Sequence, residues 1–162
     1  MIQDRAHRHA ALLTPTLRDL RTATIRWAMA HGRSLDPSTL SVIIAAQSDL
    51  AVGSRRHLHR WTTDWVLRFL FGELSSWCVE HGVARPKHAG ETLLSYLAFL
   101  DDHARLARGS SPYPELHAAI VELCGLEADG RRGAGEADAM VLSLHPAAPQ
   151  ARRTTLHPAG RR

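Results

Sequence analysis

The stretch RWTTDWVLRFLFGELSSWCVEHG, residues 60–82, carries the strongest helix pattern in the chain. Thr62 or Thr63 can cap its N-terminus, and Asp64 complements the positive end of the helix dipole. Apolar residues then recur at helical spacing until Gly82 ends the pattern, namely Trp65, Val66, Phe69, Leu70, Leu74, Trp77 and Cys78. A face this broad is typical of a helix at the centre of a bundle.

Two helices are predicted before this stretch. Each begins with a cap residue followed by proline, at Thr14-Pro15 and at Asp36-Pro37. Proline suits the first helical position because the amide there has no intrahelical partner. Gly32 and Gly53 provide the two ends.

Two more helices are predicted after it. The fourth follows the connector VARPKHAG and directs five leucines inward, namely Leu93, Leu94, Leu97, Leu100 and Leu106. The fifth runs from Glu115 to about Glu127. Long amphipathic helices joined by short loops predict an all-α fold, a single bundle of about five helices that are mostly antiparallel.

The chain of 162 residues divides by composition into a bundle domain, 1–129, and a tail, 130–162. The first part holds fourteen Arg or Lys and fourteen Asp or Glu, so the net charge of +4 belongs to the tail. The tail is rich in Gly, Ala, Pro and Arg, and few of its residues could offset the entropy lost on ordering. We therefore expect a disordered tail and a neutral body.

Compartment and membrane association follow from what the sequence lacks. Cys78 and Cys124 are the only cysteines, which is too few for a disulfide framework. The N-terminal residues MIQDRAHRHAALL do not resemble a signal peptide, and no segment approaches the roughly 18–20 apolar residues of a transmembrane helix. We expect a soluble, cytoplasmic protein with no membrane partner.

Catalytic and metal-binding patterns are also missing. The pairs His7-Arg8-His9 and His57-Leu58-His59 lack the further ligands of a zinc site. There is no nucleophile elbow and no glycine-rich phosphate loop. Asp101-Asp102-His103 is interpreted as a solvated helix end, because adjacent carboxylates on a helix diverge by about 100°. We predict no catalytic residue, no metal and no cofactor, and the sequence favours a protein that is not an enzyme.

One dense basic cluster stands out on the neutral body, just before the helix of residues 60–82. It comprises Arg55, Arg56, His57, His59 and Arg60. Trp61 follows directly and is either a hydrophobic staple at the start of the helix or an exposed aromatic that stacks on a base. Together with Arg131 and Arg132 of the tail, these residues form a candidate nucleic-acid-binding site.

Two functions are consistent with these patterns. The first is a non-catalytic helical interaction module that binds another protein or a second copy of itself. The alternative is an accessory protein that binds DNA or RNA through the cluster 55–60 and the basic tail. The first is favoured because amphipathic helices are abundant and no polar constellation converges.

Two resemblances extend this interpretation. Residues 61–70 fit W-T-x-x-x-V-x-x-x-L and residues 93–100 fit L-x-x-Y-L-x-F-L. From about 49 to 126 the chain therefore resembles a family of uncharacterised helical proteins of actinobacteria, which implies the fold and no activity. Its connector VEHGVARPKHAG departs from that family's usual one. The T-L-x-x-Y-L-x-x-L pattern of residues 92–100 also resembles the helical core-binding domain of tyrosine recombinases, which implies a DNA-clamping module without cleavage activity.

Overall fold

The computed structural model describes residues 12–52 and 57–131. Regular structure in these ranges is entirely helical, so the predicted all-α bundle of about five helices is confirmed. The helices are α1 Pro15–Ala30, α2 Pro37–Val52, α3, α4 Ala89–Asp102 and α5 Tyr113–Cys124. Helix α3 consists of three consecutive segments, Thr63–Arg68, the π-helical Phe69–Glu73, and Leu74–Glu80. Each helix of the described part is too short or too polar to cross a lipid bilayer.

The first three helices begin at the predicted cap residues. The side-chain oxygen of Thr14 accepts a hydrogen bond from a first-turn amide of α1 at 3.4 Å. Asp36 does the same for two amides of α2, both at 2.9 Å. Thr62, the first of the two threonines considered, caps α3 at 3.2 Å. These bonds satisfy amides that have no partner within their own helix.

The centre of the bundle differs from the prediction. The apolar residues predicted on the inner face of α3 are all buried. However, α2 and α4 are the helices enclosed on every side, over Thr39–Gln47 and over Thr92–Leu100. Helix α3 packs against α2 and α5 and leaves one face open. The prediction of a central α3 was wrong, because a broad apolar face shows that a helix is buried but not how many neighbours it has.

Two local predictions also need correction. Helix α5 begins at Tyr113 and ends at Cys124, not at Glu127, because Gly125 takes up a left-handed conformation with φ of 60°. The Leu126 amide then bonds back to the Val121 carbonyl at 3.0 Å and closes the helix. The helical register that Trp27 shares with Leu17 and Leu20 predicts a core position for it, but Trp27 is only partly buried.

The described residues continue past the predicted domain boundary at 129, as far as Arg131. Gly130 is buried, and its amide bonds to the Glu127 carbonyl at 2.7 Å. The Glu127 amide in turn bonds to the Arg131 carbonyl at 2.7 Å. These two bonds form a final turn, residues 127–131, that lies against the bundle. The predicted tail from residue 132 onward is outside the described residues.

Candidate functional site

The loop that precedes α3 is fixed by the loop that precedes α5. The Ala107 amide donates to the His59 carbonyl and the Ser111 amide to the Trp61 carbonyl, both at 2.9 Å. The hydroxyl of Ser110 accepts from the Trp61 amide at 3.1 Å. His59 and Trp61 contribute only main-chain atoms to these bonds, so the bonds do not involve the side chains of residues 57–60.

A buried glutamine anchors the same loop from inside. Gln47, on α2, is 1% exposed. Its Nε2 donates to the Leu58 carbonyl at 3.3 Å, and its Oε1 accepts from Trp65 Nε1 at 2.9 Å. Both ends of the amide are therefore satisfied, as a buried polar group requires. Gln47 ties the basic loop to α3, and the sequence pattern gave no sign of this role.

The described members of the basic cluster differ in charge and exposure. Arg55, Arg56 and Arg132 are outside the described residues. His57 and Arg60 are exposed at the surface. His59 is partly buried, and burial lowers the pKa of its imidazole, with His57 and Arg105 lowering it further. The lowered pKa favours the neutral imidazole of His59, which makes it a poor source of positive charge for phosphate.

Trp61 is fully buried, with 0% exposure, which leaves no ring face for a nucleic-acid base. Its ring meets Phe69 edge to face at a centroid distance of 5.3 Å. The exposed-aromatic interpretation of Trp61 was therefore wrong. Its position just before the cap residue Thr62 fits the staple interpretation, with the contact made to the second turn of α3.

A small basic pocket lies at the start of α3, and we call it the Arg60–Arg68 pocket. Its volume is about 170 Å³, and its lining residues are Arg60, Thr62, Trp65 and Arg68. The guanidinium of Arg68 lies 5.5 Å from the centroid of the Trp65 ring. Arg68 was not among the predicted site residues, because an arginine just inside an amphipathic helix is typical of an ordinary surface position.

Arg131 does not line the Arg60–Arg68 pocket, and it lies apart from the basic loop of residues 57–60. Leu58 and His59 line an apolar cleft together with Thr16 to Ala23, at the start of α1. Arg131 instead lines a cleft with His31, just past the end of α1. At a rise of 1.5 Å per residue, the two regions are about 12 to 22 Å apart along α1. The candidate nucleic-acid-binding residues therefore divide into two separate places.

The outward side of α3 carries two large apolar side chains, and we call it the α3 face. Leu67 and Phe71 are one helical turn apart and are 45% and 57% exposed. Neighbours at four-residue spacing lie on the same side of a helix. The π-helical segment begins between them at Phe69, so the inner residues Phe69 and Leu70 stay buried while Phe71 points outward.

The remaining reactive side chains form no convergent cluster in residues 12–52 and 57–131, where no three His, Cys, Asp or Glu are grouped as metal ligands would be. Cys78 is buried as predicted, and burial raises the pKa of its thiol. A raised pKa disfavours the thiolate, which is the reactive form. Cys124 is partly buried.

Comparison with known proteins adds no relative. No protein-family model, no curated protein and no solved structure matches this chain. The two resemblances inferred from the sequence patterns therefore remain predictions.

Proposed function

We propose that the protein is a non-catalytic helical interaction module that pairs with a second copy of itself through the α3 face. The observation that carries this proposal is the exposure of Leu67 and Phe71, at 45% and 57%, on a helix whose other side forms part of the core. Apolar side chains that are adjacent and solvated gain free energy when a partner covers them, at about 25 cal/mol per Å².

The α3 face suits a symmetric partner. In a two-fold pair of antiparallel α3 helices, Leu67 of one copy meets Phe71 of the other, and the reverse contact forms at the same time. Gly72 lies beside this face, and no atom is within 4 Å of the position that a Cβ there would occupy. The missing side chain lets a second helix approach closely.

The charges along α3 favour the same orientation. Arg60, Arg68 and one acid, Asp64, lie toward its start, whereas Glu73 and Glu80 lie toward its end, so the start is net positive and the end net negative. Antiparallel pairing places the arginines of one copy alongside the glutamates of the other. It also sets the two helix dipoles in opposite directions. Parallel pairing would bring like charges together, so the antiparallel homodimer is the occupant that this surface fits.

The experiment is sedimentation equilibrium on the full chain across a concentration series. We expect the wild type to dimerise with a Kd in the micromolar range, as is common for small interfaces, and Leu67→Glu with Phe71→Glu to be monomeric. Met29→Glu is the matched control, because Met29 is also an exposed apolar residue, at 77%, but lies on α1. A wild type that stays monomeric up to several hundred micromolar, or a double variant that still dimerises, would contradict the proposal.

A second candidate function is nucleic-acid binding, which the Arg60–Arg68 pocket favours. Two guanidiniums and the Thr62 hydroxyl line it, and these groups are typical phosphate contacts. Arg55 and Arg56, which precede this loop in the sequence, would extend the contact along the backbone of DNA or RNA. This function does not require the α3 face, so the two proposals can fail independently.

Fluorescence anisotropy with a labelled duplex or single strand tests this candidate. We expect binding near 50 mM salt that weakens steeply by 200 mM, because released counterions drive such binding. Arg60→Gln with Arg68→Gln should weaken it, whereas Arg26→Gln, a change of an exposed arginine on α1, should not. Absence of binding at 50 mM salt would rule this candidate out.

A further inference from the structure

A second cleft, of about 380 Å³, lies at the opposite end of α1 from the basic loop. Its walls come from the turn after α1, the first turns of α4, the side of α5 and the final turn 127–131. The volume is within the range of small-molecule sites. Its lining is mainly polar, which distinguishes it from the apolar cleft beside Leu58.

The guanidinium of Arg33 in this cleft is largely uncommitted. No carboxylate of the described residues is within ion-pair distance of Arg33, whose Nη1 makes one long contact of 3.5 Å with the Tyr113 hydroxyl. His31 also lines the cleft, and its Nδ1 donates to the Trp27 carbonyl at 2.8 Å. His117 lines the cleft from α5.

The two acids in the lining are already paired. Asp129 accepts from the Arg131 amide at 2.9 Å and lies 3.7 Å from Arg131 Nε. Glu91 is 3.7 Å from His88, and its side chain is only 13% exposed. Asp129 and Arg131 are thus each other's partners, and the guanidinium of Arg33 is the cationic group of the lining that has no carboxylate at ion-pair distance among the described residues.

Packing at Gly130 holds the final turn in place beside the cleft. A Cβ at Gly130 would lie 2.9 Å from the Leu94 methyl carbon Cδ1 and 4.0 Å from His117 Nε2. The φ of Gly130 is +80°, a conformation that favours glycine. The turn thus sits directly on α4 and α5, which brings Arg131 to the cleft that Arg33 also lines.

We propose that this cleft binds a small multivalent anion, a phosphate- or carboxylate-bearing metabolite. Arg33 and Arg131, from two separate segments of the chain, would clamp its charged groups. Guanidinium forms planar, paired hydrogen bonds with both kinds of oxyanion. The cleft is too small and too polar for a protein segment, and the α3 face is not part of it.

Isothermal titration calorimetry on the full chain, with inorganic phosphate and with citrate as probes, tests the proposal. We expect at least one of them to bind, and which one does will identify the ligand class. Arg33→Gln and Arg131→Gln should each weaken binding by at least about tenfold, since each removes the charged partner of a hydrogen bond to the ligand. Arg108→Gln, a change of an exposed arginine outside the cleft, is the control and should leave affinity unchanged.

Gly130→Ala provides a second variant that changes no charge. Its Cβ would lie 2.9 Å from Leu94 Cδ1, at a φ of +80° that strains any residue other than glycine. The turn should therefore be displaced and affinity should fall, while circular dichroism shows a folded bundle. The proposal is wrong if neither probe binds with a Kd below roughly 10 mM. It is also wrong if the double variant Arg33→Gln, Arg131→Gln binds as tightly as the wild type. Because the readout is affinity and not assembly, failure here would leave the homodimer proposal untouched.

Discussion

The ends of α1 and α3 follow one pattern, and the end of α4 repeats it with one change. The sequences are WAMAHG at 27–32, WCVEHG at 77–82 and FLDDHA at 99–104. In each, the histidine donates from Nδ1 to the carbonyl of the aromatic residue, at 2.8, 2.9 and 3.0 Å. The imidazole also lies on the aromatic ring, with centroids 4.4, 4.2 and 4.4 Å apart.

The change is the residue after the histidine. Gly32 and Gly82 have φ of 61° and 62°, and Ala104 takes up the same left-handed region at 49°. It is the one residue other than glycine with positive φ in the described part of the chain. The closing bond, from the next amide to the carbonyl five residues back, is 2.9, 2.8 and 2.7 Å in the three helices. The cap interactions are therefore strong enough to impose on alanine a conformation that costs about 1–2 kcal/mol.

The aromatic residue is buried to different extents at these helix ends, and its substitution has the largest expected effect on the free energy of unfolding. Trp77 is 4% exposed, and its Nε1 donates to Asp49 at 2.8 Å. Trp27 donates in the same way to Asp102 at 2.7 Å but is only partly buried. We expect Trp77→Ala to lower the free energy of unfolding by about 3–5 kcal/mol and Trp27→Ala by clearly less. Denaturant unfolding measures both, and equal losses would show that burial does not separate the two ends.

At Gly32 and Gly82 the effect of the left-handed backbone conformation can be measured without a steric clash. No atom lies within 4 Å of the Cβ position at Gly32 or at Gly82, so alanine meets no steric contact there. Gly32→Ala and Gly82→Ala should each lower the free energy of unfolding by about 0.5 kcal/mol, because backbone strain of about 1–2 kcal/mol exceeds the gain of about 0.4–1 kcal/mol from a less flexible unfolded chain. An unchanged stability in both variants would mean that the left-handed conformation carries no cost at these ends.

Ala104→Gly is the reciprocal change and should stabilise the protein. Glycine removes the strain at φ of 49° but adds about 0.4–1 kcal/mol of unfolded-state entropy. We therefore expect a net gain of about 0.5 kcal/mol, seen as a higher denaturation midpoint with an unchanged m-value. A loss of stability would show that the Ala104 side chain makes contacts worth more than the strain it bears.

The structural features that depend only on neighbouring residues are the ones that the sequence predicts. Cap residues, inner faces and glycine ends act within four or five residues, so Thr14, Asp36 and Gly82 were assigned from the pattern and are confirmed. The enclosure of α2 and α4 depends on which helices pack together, which no local pattern contains. The same holds for Gln47, which connects groups 11 and 18 residues away in the chain.

The candidate site divides in the same way. A run of basic residues predicts a positive surface, and Arg60 is exposed accordingly. Whether His59 keeps a charge and whether Trp61 is accessible depend on the loop of residues 104–111, which is distant in sequence. The separation of Arg131 from Arg60 depends on the length and direction of α1. Composition also placed Gly130 in the tail, whereas its contact with Leu94 fixes it to the bundle.

The end of α4 also differs from the other two in a residue that follows it. The positive charge of Arg105 lowers the pKa of His59. Burial, then His57 and Arg105, lower the pKa of His59 below its ordinary 6.5 in the folded protein. The unfolded chain therefore binds more protons at this residue, and His59 makes the free energy of unfolding fall as the pH drops below 6.5. We expect this fall to be smaller in His59→Gln, with the other histidines cancelling in the comparison with wild type. NMR titration of the His59 ring gives its pKa directly, and a folded-state value at or above 6.5 would refute both the shift and the sign of the pH dependence.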